Sequence, residues 1–270
     1  STVYFLGSVF SVAIGFFFKI YLANFLGADL LGVFSLGMTA VAIAGVFSSL
    51  GYVEGLVRFV SKYVALDDFP SLFSYLKNTL VITSVLASSF CLVFVFFPSF
   101  IGEQLLTSED VVAYIPAFGI MLLVSCFMSI ADQCVRGLQE VSKSSIISNF
   151  IRLPFKAILT VFLFYVGYGL EGYIWAEIFA CALSLVLMYL LIRKILPKGG
   201  VSKIFSSKEK LKDDEKKFSK NILIINSTIL LQNHGDKLLV AAFLSTTELG
   251  VYSVILSIAV FVPTVLVSVN

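Results

Sequence analysis

The sequence predicts an all-α integral membrane protein, a two-lobe helical bundle with a complete first lobe of six helices and the opening two helices of a second. Composition is the first ground. Of 270 residues, 59% are hydrophobic and 13% charged, with a mean hydropathy of +0.99, whereas soluble domains carry about 25% charged residues. The second ground is segmentation: eight apolar runs approach the roughly 20 residues that a spanning helix needs. The third is an internal repeat. Residues 19–35, KIYLANFLGADLLGVFS, recur without a gap at 237–253, KLLVAAFLSTTELGVYS, with Lys19 on Lys237 and Gly32 on Gly250. Eight positions are identical, where chance would give about one or two, and the offset is too long for a solenoid unit.

The expected spans are 3–26, 31–57, 78–97, 111–135, 146–166, 170–193, 219–241 and 249–270. Their connectors alternate in charge. Those at 27–30, 98–110, 167–169 and 242–248 hold Asp29, Glu103, Glu109, Asp110 and Glu248 and no Lys or Arg. The others hold Arg58, Lys62, Lys77, Arg136, Lys143 and the run from Arg193 to Lys220. The positive-inside rule therefore places the basic connectors and the N-terminus in the cytoplasm of a cell-membrane protein. Segment 63–77, with Asp67, Asp68 and Pro70, reads as an interfacial loop and short helix. The polar stretch 197–220 reads as a cytoplasmic linker with an amphipathic patch around Ile204 and Phe205, open to contact with membrane lipids through its lysines. The domains expected are 1–196 (first lobe), 197–220 (linker) and 221–270 (start of an incomplete second lobe).

An even number of spans between the repeat copies gives both lobes the same orientation, so their symmetry axis should lie along the membrane normal with a path between them. Ionisable residues inside spans mark such a path, because each costs about 2.5–3.5 kcal/mol on insertion scales. Lys19 and Lys237 recur at equivalent places and could face each other as an anion site, with Asp236 tuning Lys237 by pairing. Arg152 and Lys156 stand four apart on one helical face around Pro154, either as anchors or as a basic rung of the cavity. Glu54 and Arg58, like Asp132 and Arg136, set an acid one turn before a base near the inner end of a helix and suit intrahelical or interhelical pairs that close a cytoplasmic gate. Glu177 is a candidate for a coupling ion or for a structural hydrogen bond. His234 is the single histidine and has no metal-ligand spacing around it. Cys91, Cys126, Cys134 and Cys181 read as small apolar side chains in spans. No nucleotide-binding glycine loop, Ser/His/Asp set or metal motif is present, so no cofactor and no enzymatic activity is expected, and nucleic acid is not implied as a partner.

GADLLGVFSL after the first span, LGYVEGLVRFVSKY, RGLQEVSKSSIISNFIRLPFK and GLEGYIWAEIFA resemble the polysaccharide and lipid-linked oligosaccharide flippases of the multidrug/oligosaccharidyl-lipid/polysaccharide (MOP) superfamily. The resemblance implies a MATE-like, V-shaped pair of lobes of 12 to 14 helices in all. It also implies transfer of a polyprenyl-linked glycan across the cytoplasmic membrane by alternating access, with envelope polysaccharide assembly proteins as partners. Lys19, Arg152 and Lys237 fall where that family places cationic cavity residues. The family's drug exporters, cation-coupled antiporters, are the alternative; they rely on a carboxylate in the first span, and this first span has none.

Overall fold

The computed structural model describes residues 2–106, 108–196, 204 and 210–269; the side chains of 2–13, 16, 257, 258 and 260–269 are outside the described set. All regular structure among the described residues is helical. The helices are α1 (Thr2–Ser49), α2 (Tyr52–Ala65), α3 (Phe69–Phe96), α4 (Ile115–Gly137), α5 (Val141–Ser145), α6 (Leu153–Tyr165), α7 (Leu170–Ile195), α8 (Asp213–Phe243) and α9 (Thr246–Val269). Five segments, within α1, α3, α4, α5–α6 and α7, are long and apolar enough to cross a membrane. α8 is long enough but carries Asn226, Gln232, Asn233, His234, Asp236 and Lys237 along its length.

α1 contains the first two expected spans. Gly27, at φ +76° and ψ 172°, breaks the helical backbone, a conformation that glycine adopts without Cβ strain. Phe18 and Phe34 then reach the same ring: their centroids lie 6.0 and 4.6 Å from that of Tyr173. In one straight helix they would be about 24 Å apart, so the chain doubles back at Gly27. The second half of α1 ends at Ser49, where Leu50 and Gly51 both take positive φ. The second span therefore stops short of residue 57, and Glu54 and Arg58 sit on the separate, amphipathic α2. Hydropathy alone runs through this break. α3 begins nine residues earlier than its expected start: the Asp68 carboxylate accepts the Ser71 N–H at 3.2 Å and Pro70 sits in the first turn, a standard helix start. The interfacial segment is thereby reduced to a short turn followed by the first turns of α3.

α5 passes through π-helical turns at Ile146–Arg152 into α6. Pro154 has no N–H to offer the turn before it, and the widening falls just ahead of it. Apolar side chains on the outer faces remain exposed, among them Phe96, Ile158 and Tyr165, as suits contact with lipid. Inside, Leu36, Phe118, Leu122, Ile174 and Leu249 share one core. A second core joins α2, α3 and α4 around Leu56, Leu72 and Tyr75 and includes Ile204. Phe205, the other residue of the expected amphipathic patch, lies outside the described residues.

The repeat has a geometric counterpart. A Cβ at Gly32 would run into the carbonyl of Thr246, and a Cβ at Gly250 would run into the carbonyl of Ala28. The Thr247 hydroxyl donates to Asp29, its equivalent 218 positions away. Equivalent residues of the two copies thus meet reciprocally, the signature of a two-fold relation between self-complementary faces. Small residues let the two backbones approach.

Candidate functional site

A cavity of about 310 Å³ lies between the two halves of α1, α6, α7, α8 and α9. Lys19, Lys156, Lys237 and His234 line it, with Phe18, Phe34 and Tyr173 as an aromatic wall. Lys19 Nζ donates to the Ser253 carbonyl at 2.7 Å, so the first-copy lysine is held by the second copy. His234 Nδ1 lies 3.2 Å from the Thr39 hydroxyl, which ties α8 to the second half of α1. Lys237 makes no ion pair among the described residues. Asp236 does not pair with that ammonium as expected: its carboxylate accepts the Tyr252 hydroxyl at 2.7 Å and the backbone N–H of Lys237 at 2.8 Å. On a helix, adjacent side chains point some 100° apart, and Tyr252 on α9 captures the acid.

Arg152 and Lys156 converge on one acid. Glu177 Oε1 is 2.5 Å from Arg152 Nη2 and Oε2 is 2.6 Å from Lys156 Nζ. Lys156 also lies 4.8 Å over the Tyr173 ring and faces the cavity, while Arg152 lies behind it, with Nη1 near Met128. Two cations against one carboxylate leave this cluster at net +1 toward the cavity. The arrangement also gives Glu177 a structural role, since a carboxylate clamped between two cations is poorly placed to carry a third.

The two expected acid–base pairs differ. Asp132 and Arg136 form an ion pair at 2.9 Å, and the Ser144 hydroxyl joins Asp132, tying α4 to α5. Glu54 and Arg58 do not pair. Glu54 Oε1 accepts from Asn226 Nδ2 at 2.8 Å, and the Arg58 guanidinium lies 4.7 Å over the Phe218 ring. Both partners are on α8, which competes successfully with the neighbouring turn of α2. The junction continues with Tyr63, whose hydroxyl donates to Glu215 at 2.5 Å, and Lys212, which donates to the Ser71 hydroxyl at 2.7 Å. Burial, reinforced by the Glu215 carboxylate, pushes the Tyr63 phenol above its ordinary value, keeping it a donor. Hydrogen bonds from Ser71, with Lys212 nearby, hold the Asp68 carboxyl below the usual range. Tyr63, Glu215 and Asn226 carry no spacing signal, since their partners are more than 150 residues away in sequence.

The model of the polysaccharide biosynthesis protein family matches residues 1–270, and the chain belongs to that family. Among solved structures it is similar to a MOP superfamily transporter from Pyrococcus furiosus, described as having a binding pocket of reverse polarity. Identity there is 11%, coverage is 85% of this chain and 52% of that one, and the TM-score is 0.64. It is also similar to an inward-facing multidrug resistance MATE family transporter of the same superfamily, at 12% identity, 92% and 56% coverage and a TM-score of 0.62. The chain thus spans about half the length of these structures. No curated protein sequence matches it. The fold is the one these two transporters share, and with five helical segments long and apolar enough to cross a membrane the chain is a multi-pass membrane protein.

Proposed function

We propose that this chain is part of a transporter that flips a lipid-linked oligosaccharide or polysaccharide repeat unit across the cytoplasmic membrane, for assembly of cell-envelope or surface polysaccharide. The observation that carries the reading is the lining of one cavity by Lys19, Lys156 and Lys237, two of them at equivalent places in the repeat. A pyrophosphate between glycan and polyprenol presents several anionic oxygens, and ammonium groups on opposite walls bind it as point charges without demanding one orientation. The aromatic wall of Phe18, Phe34 and Tyr173 suits sugar faces, while the prenyl chain stays in lipid.

In this reading residues 1–196 form the first lobe, 197–220 the linker and 221–270 the start of the second lobe. The basic connectors and N-terminus face the cytoplasm, following the charge alternation. Movement would alternate between separating the Gly32/Gly250 contact and separating the α2/α8 junction. The multidrug antiporter alternative needs an acid facing its cavity, and the cavity here is lined by bases. The test uses the full-length protein in cells depleted of it. Lipid-linked oligosaccharide should accumulate on the cytoplasmic leaflet, and wild type should rescue while Lys19→Ala/Lys237→Ala should not, at equal expression and nearly equal Tm. Rescue by the double variant would sink the reading of these lysines, and an absence of accumulation would favour drug export.

A further inference from the structure

On the outside of the bundle, α5 and the π-helical turns that follow it pack along α7, and the seam between them is an open groove of about 350 Å³. It shares no lining residue with the cationic cavity. Its two walls are built alike. On α7, Leu187, Leu190, Leu191 and Lys194 recur at the three- and four-residue steps that keep side chains on one helical face. On the opposite wall Lys143 is followed by Ile146, Ile147 and Ile151, with Ile146 and Ile151 five apart, close to the period of the widened turn. Ile147 is buried as the floor, while Ile146, Ile151 and Leu190 stay exposed.

α5 leads away from one basic connector and α7 returns to the next, so Lys143 and Lys194 stand at the same end of the groove. The apolar stripes run from them into the membrane for about 10–12 Å by helical rise, most of the roughly 15 Å of hydrocarbon in one leaflet. Lys143 pairs with Glu140 at 2.6 Å. Lys194 makes no ion pair among the described residues, which leaves these three charges at net +1. An apolar trough with a cationic rim matches a molecule with an apolar chain and one anionic head. We infer that the groove is a site for an anionic glycerophospholipid of the bilayer. The phosphate lies between Lys143 and Lys194, which act as point charges at the membrane surface, and one acyl chain runs along Ile146, Ile151, Leu187 and Leu190.

A second copy of the chain fits this face less well. Copies in one membrane share an orientation, so two-fold contact here would set the lysine rims against each other at one level. The lipid also bears on the neighbouring cation cluster. Ile151 lines the groove, and the next residue, Arg152, holds Glu177. A chain lying in the groove therefore supports, from outside, the turn that sets Arg152 and Lys156 in place.

The test involves no glycan, so its outcome is independent of the substrate reading. Full-length protein is reconstituted in phosphatidylcholine nanodiscs, with phosphatidylglycerol or a polyprenyl phosphate added in turn, and retained lipid is read by native mass spectrometry alongside Tm. Wild type should retain phosphatidylglycerol over phosphatidylcholine and gain about 2–4 °C in Tm from it. Lys143→Gln/Lys194→Gln should bind it roughly ten-fold more weakly and lose the gain. Lys217→Gln/Lys220→Gln, an equal loss of charge at exposed residues of α8, should keep both. Ile151→Trp fills the trough with both ammonium groups intact and should shed the lipid as well, which decides the matter if the lysine variant does not fold. Four results would overturn the site: equal retention of the two phospholipids by wild type, a loss shared by the α8 control, retention unchanged by Ile151→Trp, or preference for the polyprenyl phosphate over phosphatidylglycerol.

Discussion

On the acidic side of the bundle, α1 meets α9 backbone to backbone, with Gly32 against Thr246 and Gly250 against Ala28. On the basic side, α2 and α3 meet α8 through long side chains: Tyr63 on Glu215, Lys212 on Ser71, Glu54 on Asn226 and Arg58 over Phe218. The first junction is symmetric and relies on the absence of side chains; the second is asymmetric and polar. A backbone contact without Cβ atoms has one good geometry and fails abruptly, because interiors are close-packed. A set of hydrogen bonds and ring contacts yields one member at a time. Together they suggest a hinge with a stiff end and a compliant end.

The sharpest way to break this contrast is Gly32→Leu. The new side chain has no room beside the Thr246 carbonyl, so α1 and α9 must part. A disulfide between Asp29→Cys and Thr247→Cys should form readily in the otherwise native chain and be lost when Gly32→Leu is added, along with transport. Retention of the cross-link would show that the stiff end is not stiff. A smaller effect is expected at the compliant end. Tyr63→Phe removes a donor from a carboxylate that is 3% exposed, with a loss of about 1–3 kcal/mol of stability, measurable by denaturant or thermal unfolding. The Asp29/Thr247 cross-link should persist in that variant.

The smallest effect concerns pH. Asp68 has a depressed carboxyl value in the folded protein, so its stabilising contribution is present above the unfolded value of about 3.9 and fades as pH falls through the lower folded one. Asp68→Ala should cost about 1 kcal/mol near neutral pH through loss of the α3 cap. The difference between variant and wild type should close below pH 4. A gap that stays constant down to pH 3 would mean that the cap works without its charge.

Much of the architecture was legible because it follows from periodic, local signals. The repeat aligned Gly32 with Gly250, although only the structure shows that the two copies meet there, and hydropathy located the membrane-crossing helices to within a turn at most ends. The stop at Leu50 and Gly51 was not legible, since apolar residues continue to Val57 and only the positive φ values mark the break. For the site, Lys19, Lys156 and Lys237 do share one cavity, whereas Arg152 stands behind it on Glu177. The four-residue spacing left intrahelical and interhelical pairing open: Asp132/Arg136 pair within their helix, whereas Glu54 and Arg58 each find a separate partner on α8.

The reversal at Gly27 has a bearing on how the chain is made. With a single non-helical residue between its arms, the first hairpin has no polar loop to hold one arm at the surface while the other inserts, so entry as a pair is the expected route. The ammonium of Lys19 would cost a lone helix about 2.5–3.5 kcal/mol at the membrane centre. Beside its sister arm that cost is spread over twice as much apolar length, and the hydroxyl of Ser35 crosses the bilayer in the same step. A lengthened turn at this position should therefore impair biogenesis before it impairs anything else.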